Sequence, residues 1–268
     1  MTYVFFPAGT IAGMLISGLF CIIMPIGALV FFKLKNKEIS ILPAVIGAAM
    51  FFAFALILEQ LLHAVMLPIV SGSVIAYTLY GALAAGVFEE TSRFIGYKFI
   101  LKKHTDPRTS IMYGIGHGGC EAIMLVGISM LSYAVIAVMS NSVGFDAIIK
   151  LLSAGDKGAA EVLQNQLGKL AESEMSNYLI SAWERIPAML LHISLSVIMF
   201  EAVRIKGRMW LFPVAVLLHA ILDVPAALYQ CGAISIVWAE ILIFVCSLLA
   251  ALLAWQSYKR LNRQLNNT

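Results

Sequence analysis

Seven runs of mostly apolar residues follow one another along the chain, at about 5–32, 40–70, 74–101, 109–140, 179–203, 209–229 and 233–257. A helix rises about 1.5 Å per residue, so roughly 20 such residues cross the hydrocarbon of a bilayer. Each run is long enough, and the breaks between them carry Lys, Pro, Gly, Ser, Asn and Asp, as loops do. Composition agrees: 61% of the 268 residues are hydrophobic and 12% are charged, against about 45–50% and about 25% in a soluble domain. The expected fold is all-α. It is a polytopic membrane helix bundle of about seven transmembrane helices, with residues 1–268 as a single integral membrane domain. The lipid bilayer is its expected surrounding, and no nucleic-acid partner is expected. Cys21, Cys120, Cys231 and Cys246 show no C-x-x-C spacing, so neither a disulfide framework nor a zinc ribbon is indicated. The start of the chain lacks a basic segment and a small-residue cleavage site, so the first run is expected to be a retained span.

Charge sets the expected orientation. Lys33, Lys35 and Lys37 follow the first run, and Lys98, Lys102, Lys103 and Arg108 follow the third. Arg204, Lys206 and Arg208 follow the fifth, and Lys259, Arg260 and Arg263 the seventh. With seven crossings these all fall on one side, which the positive-inside tendency makes cytoplasmic. The N-terminus is then outside and the C-terminus in the cytoplasm. The long outer connection, 141–178, has Phe145, Ile148, Ile149 and Leu152 on one helical face and Leu163, Leu167 and Leu170 on another. It is expected to form short amphipathic helices on the outer surface, as a connector cap.

A charge at mid-membrane costs at least about 2.5–3.5 kcal/mol, so those present mark function by default. Counted from the cytoplasmic end of each run, Glu89 and Glu121 lie at about 18 Å, His117 at about 12 Å, His192 at about 18 Å, His219 at about 15 Å and Asp223 at about 21 Å. Four runs thus bring ionisable groups into one slab. Within "GVFEETSRFIGYKF", Glu89 and Arg93 are spaced i, i+4 and Glu90 and Arg93 i, i+3, so either carboxylate can meet the guanidinium. The two carboxylates diverge by about 100°, leaving one held and one free to work. His117 and Glu121, and His219 and Asp223, are also i, i+4 pairs, each able to face one site. The glycines of "YGIGHGGCEA" are expected to serve helix packing. Glu59, Gln60 and His63 come out near 28 Å, in a different layer, and are expected to be structural. Glu201 and Arg204 are expected to pair locally at the end of the fifth run.

An E-E-x-x-x-R run (Glu89, Glu90, Arg93), an aromatic-x-x-x-His (Tyr113, His117) and a later H-x-x-x-D (His219, Asp223) resemble the superfamily of CAAX prenyl endopeptidases and bacteriocin-processing proteins. The ordered set "EETSR", "GIGHGGCEA", "LHISLSVIMFEAVR" and "LLHAILD" is similar to the YhfC family of intramembrane proteases and covers residues 86–228. The resemblance implies a catalytic core of about 74–229, in which Glu89 or Glu90 with His117 activates water and His219 and Asp223 complete the site. Arg93, Glu121 and Tyr113 support it. Two positions depart from the superfamily pattern: Asp223 stands where Asn is common, and His192 is additional.

Peptide hydrolysis needs a nucleophile, a proton carrier and stabilisation of an oxyanion. The expected substrate is a membrane protein or lipid-anchored peptide. Two versions of the chemistry stand open. One is metal-free, with a glutamate as base and His219 donating to the oxyanion. The other places Zn2+ on His117, His192 and His219 with one glutamate, although the H-E-x-x-H signature is absent. The same mid-membrane charges also describe a transporter coupled to ions or protons, or a non-catalytic scaffold for partner helices.

Overall fold

The computed structural model describes residues 4–265, and these form an all-helical membrane protein. In chain order the helices are α1 (Ala8–Lys35), α2 (Leu42–Ala53), α3 (Glu59–Val70), α4 (Val74–Ile95), α5 (Arg108–Glu121), α6 (Ile128–Val143), α7 (Phe145–Leu152), α8 (Lys157–Glu172), α9 (Met175–Arg204), α10 (Leu211–Gln230) and α11 (Ile236–Leu265). Three wider, π-helical turns join or extend them: Phe54–Leu58 between α2 and α3, Gly96–Ile100 after α4, and Ala122–Gly127 between α5 and α6. Such turns occur disproportionately at functional sites. Here each directly precedes or closely follows a charged residue: Glu59, Arg93 and Glu121.

Among the described residues six helices are long and apolar enough to cross a membrane: Ala8–Lys35, Leu42–Val70, Arg108–Val143, Met175–Arg204, Leu211–Gln230 and Ile236–Gln264. The remaining expected span, 74–101, is a continuous helix from 74 to 100 but falls outside that set. Its deficit is the polar stretch around Glu89, Glu90 and Arg93. All three are buried in protein, where their cost in lipid is not incurred.

The chain divides into two compact units. The first holds the chain up to Met24 together with Ala122–Arg185. Its core joins Phe6, Met14, Ala134, Ala137, Phe145, Ile149, Leu167, Ala171 and Tyr178. The amphipathic helices α7 and α8 therefore turn Phe145, Ile149, Leu167 and Ala171 into this core. Gly144, at φ 98°, makes the sharp joint between α6 and α7, a conformation that costs glycine little. Asp156 caps α8 by accepting from Ala159 N at 2.7 Å.

The second unit holds Pro25–Glu121 and the chain from Ile186 onward, and every candidate site residue lies in it. Its closest helix pairs are α2 with α5 and α4 with α10. Glycine makes these crossings possible. A Cβ on Gly116 would fall on the backbone of Ala44, one on Gly47 on the backbone of Tyr113, and one on Gly86 would lie 2.7 Å from Val216 O. We expect Gly116→Val to force α2 and α5 apart and to cost about 1–3 kcal/mol or more. Thermal unfolding in detergent measures this; an unchanged midpoint would mean the crossing is looser than described.

At the cytoplasmic ends, Glu201 and Arg204 do not pair with each other. Glu201 is fully buried and accepts from Arg260 of α11 through both oxygens, at 2.8 and 3.0 Å. Arg204 instead donates to the carbonyls of Leu101, His104 and Tyr97 at 2.7, 3.1 and 3.2 Å. The wider turn ending at Ile100 leaves carbonyls without helical partners, and the guanidinium serves them.

Candidate active site

α4 supplies the charged centre. Glu90 and Arg93 are fully buried and ion-paired through Glu90 Oε1 and Arg93 Nη1. Glu90 Oε1 also accepts from His219 Nδ1 at 2.8 Å. Glu89 is only 7% exposed, and its Oε2 stands 3.5 Å from Arg93 Nη2, at the limit of a contact. Of the two carboxylates, Glu90 is the one held by the guanidinium and Glu89 is the one turned to the histidines.

Three helices each direct an imidazole at Glu89. His117 of α5 donates from Nε2 to Glu89 Oε2 at 2.9 Å. His192 of α9 places Nδ1 at 3.7 Å from the same oxygen. His219 of α10 places Nε2 at 3.8 Å from Glu89 Oε1 and 3.4 Å from Asp223 Oδ2. The ring centres of His117 and His192 are 5.4 Å apart, and those of His192 and His219 5.8 Å.

The partners behind the rings fix their orientations. His192 Nδ1 accepts from Arg93 Nη2 at 2.6 Å, so its Nε2 carries the hydrogen that meets Glu121. Glu121 thus backs His192 as Glu90 backs His219, a carboxylate–histidine arrangement that locks tautomer and ring direction. Phe51 packs edge-on to His117 at 5.1 Å, and Tyr113 stacks on it at 5.9 Å. Glycine lets α9 approach: a Cβ on Gly114 would lie 2.6 Å from Ile193 Cα, and one on Gly118 2.9 Å from His192 Cβ. These glycines serve helix packing, as expected, and their packing is what seats His192.

Four carboxylates gather here with one guanidinium: Glu89 and Glu90 meet Arg93, Glu121 meets His192 and Asp223 lies near His219. Buried charge of this kind is compensated by protons or by a further cation. Three fully buried atoms, Glu90 Oε2, Arg93 Nε and His117 Nδ1, have no hydrogen-bond partner among the described residues. A native structure fills such positions with water or an ion. One oxygen of Glu89 and one nitrogen each of His117 and His192 lie within 4.8 Å of one another, close enough to hold a metal ion once His192 releases its bond to Arg93 or Glu121. Two histidines and a glutamate are a donor set used by catalytic zinc. The set expected from sequence differs by one member, since His219 lies outside this tightest group.

The structure thus brings together Glu89, Glu90, Arg93, His117, Glu121, His192, His219 and Asp223. Asp223 forms the open edge, its side chain 34% exposed. Tyr113 is brought near but not in: its hydroxyl donates to Ser92 O at 3.5 Å, and its ring supports His117. Phe51 is not foreseen from sequence, because an aromatic residue in an apolar run carries no mark that sets it apart from core.

A helical membrane protein with glutamate and histidine side chains from four helices around one buried centre is the class these observations define. The chain belongs to the YhfC intramembrane metalloprotease family, whose model matches residues 20–244. It is also 36% identical over 244 residues to the uncharacterized membrane protein YhfC of Bacillus subtilis (strain 168), covering 88% of this chain and 91% of that protein. No solved structure matches the chain.

Proposed function

We propose that the protein is an intramembrane peptidase that hydrolyses a peptide bond of a membrane protein or lipid-anchored peptide. The observation that carries this reading is the convergence of three imidazoles on Glu89, with family membership beside it. Glu89 accepts a proton from water and passes it to the leaving amine, within reach of His117. Arg93 and Glu90 hold α4's charges in place and fix His219, whose Nε2 faces the reacting centre. Glu121 keeps His192 turned inward. Asp223 lines the exposed edge by which a substrate backbone enters.

Glu89, His117 and His192 are also the residues that would hold Zn2+, with His219 next to them. Zinc bound there would supply Lewis acidity toward water and carbonyl oxygen. Elemental analysis of the purified protein in nanodiscs, with and without chelator, separates the two versions. Stoichiometric zinc and loss of cleavage on chelation are expected of the metal enzyme; cleavage that survives in metal-free protein ends it. Cleavage itself is read as new peptide termini, by mass spectrometry, in co-reconstituted single-span and lipid-anchored proteins. If the same termini arise with Glu89→Gln, or if only coupled ion flux is found in liposomes, the peptidase reading fails.

A further inference from the structure

Peptide hydrolysis consumes one water for every bond cut, and hydrocarbon supplies none. If the cluster is the hydrolase proposed for it, polar groups must lead water to it. Glu59 opens α3 directly after the wider turn at Phe54–Leu58 and is buried. Its Oε1 lies 3.4 Å from His63 Nε2, and His63 Nδ1 meets the Tyr80 hydroxyl at 2.7 Å. Glu59 is within electrostatic reach of Glu89, His219 and Asp223 on one side and of Tyr80 on the other. His63, with a side chain 20% exposed, forms the accessible end of this series.

The series climbs toward the start of α4. Tyr80 precedes Glu89 by nine residues, about 13 Å along the helix. Further on, Tyr77 donates to Gln230 Oε1 at 2.9 Å, joining the first turn of α4 to the last of α10. Thr78 adds an independent sign. It lies eleven residues before Glu89, about 20° from the same helix face. Its hydroxyl is buried without a hydrogen-bond partner among the described residues. A buried hydroxyl lacking a protein partner is a place for water.

We propose that Glu59, His63 and Tyr80 form the inlet by which water reaches the Glu89 cluster, entering from the end at which α4 begins. Glu59 is the inner member, on a helix packed against α4, and the His63–Tyr80 pair is the outer one. Their role is to hydrate the site, and they take no part in bond cleavage.

Hydroxyl-radical footprinting of the whole protein in lipid nanodiscs tests this, since radicals arise where water stands. Per-residue oxidation is read by mass spectrometry. Tyr80 is expected to oxidise several-fold faster than the fully buried Tyr113. Glu59→Leu is expected to lower oxidation of His219 several-fold while leaving His104 unchanged, and His63→Leu does the same should the first variant not fold. Equal rates at Tyr80 and Tyr113, or His219 oxidation unaltered by the variants, would overturn the inlet. Footprinting does not depend on turnover. A hydrated series in a protein that cuts no peptide therefore removes the hydrolase and keeps the inlet, and cleavage with a dry series does the reverse.

Discussion

Glu89→Gln is expected to lower cleavage about a hundredfold to ten-thousandfold, the range supplied by a positioned general base, while the protein stays folded. The amide keeps the size and can still meet His117, but it cannot take up a proton. Among the described residues Glu89 accepts one close hydrogen bond, from His117 at 2.9 Å, and its contact with Arg93 is long, so packing changes little. The matching change at the neighbouring position behaves differently. Glu90→Gln weakens the pair with Arg93 and the seat of His219, so it lowers thermal stability as well as rate. Rates from new peptide termini and unfolding midpoints, measured on both variants, separate the roles. Near-equal loss of activity with equal loss of stability in the two would place the working carboxylate elsewhere.

Arg93→Met is expected to be the most destabilising single change in the second unit. Arg93 is fully buried, and its guanidinium serves Glu90, Glu89 and His192 Nδ1 together. Removing one partner of a buried ion pair costs about 3–5 kcal/mol, because the other charge remains without compensation. Arg93→Lys should recover little. A single ammonium cannot fork across two carboxylates and an imidazole as a planar guanidinium does. The double variant Glu90→Gln, Arg93→Met should regain part of the loss, since it removes both ends of the pair. Unfolding in detergent gives the comparison; a double variant no better than Arg93→Met alone would show that the pair is not where the energy resides.

Much of this centre can be read from the amino-acid order, and the limits have a physical origin. Spacing on α4 places Glu89, Glu90 and Arg93 within reach of one another, because i, i+3 and i, i+4 neighbours share a helix face whatever surrounds them. Height along a helix is also legible, at about 1.5 Å per residue, and it gathers His117, Glu121, His192, His219 and Asp223 into one slab. Rotation of one helix relative to another is not legible. It is set by close crossings such as Gly116 on Ala44 and Gly114 on Ile193, which depend on partners far away in sequence. Spacing alone therefore leaves Glu89 and Glu90 equivalent. The crossing of α4 with α10 brings His219 to Glu90, and this breaks the tie. The same limit explains Glu201. Its partner Arg260 is 59 residues distant, whereas Arg204 is nearer along the chain but is drawn to free carbonyls.

The wider turn at Phe54–Leu58 bears on how the helix keeps phase. Phe51, Ala55 and Glu59 are all buried, four residues apart each time. In an unbroken α-helix such a series drifts about 40° at every step, so Glu59 would stand about 80° round from Phe51. The wider turn takes up one residue, and Glu59 returns to within about 20° of Phe51's azimuth. The segment thus behaves as an insertion absorbed without rotating α3. A relative lacking one residue between 54 and 58 would form a plain helix there and still aim its carboxylate the same way, so a single-residue gap at this place in the family is compatible with one shared centre.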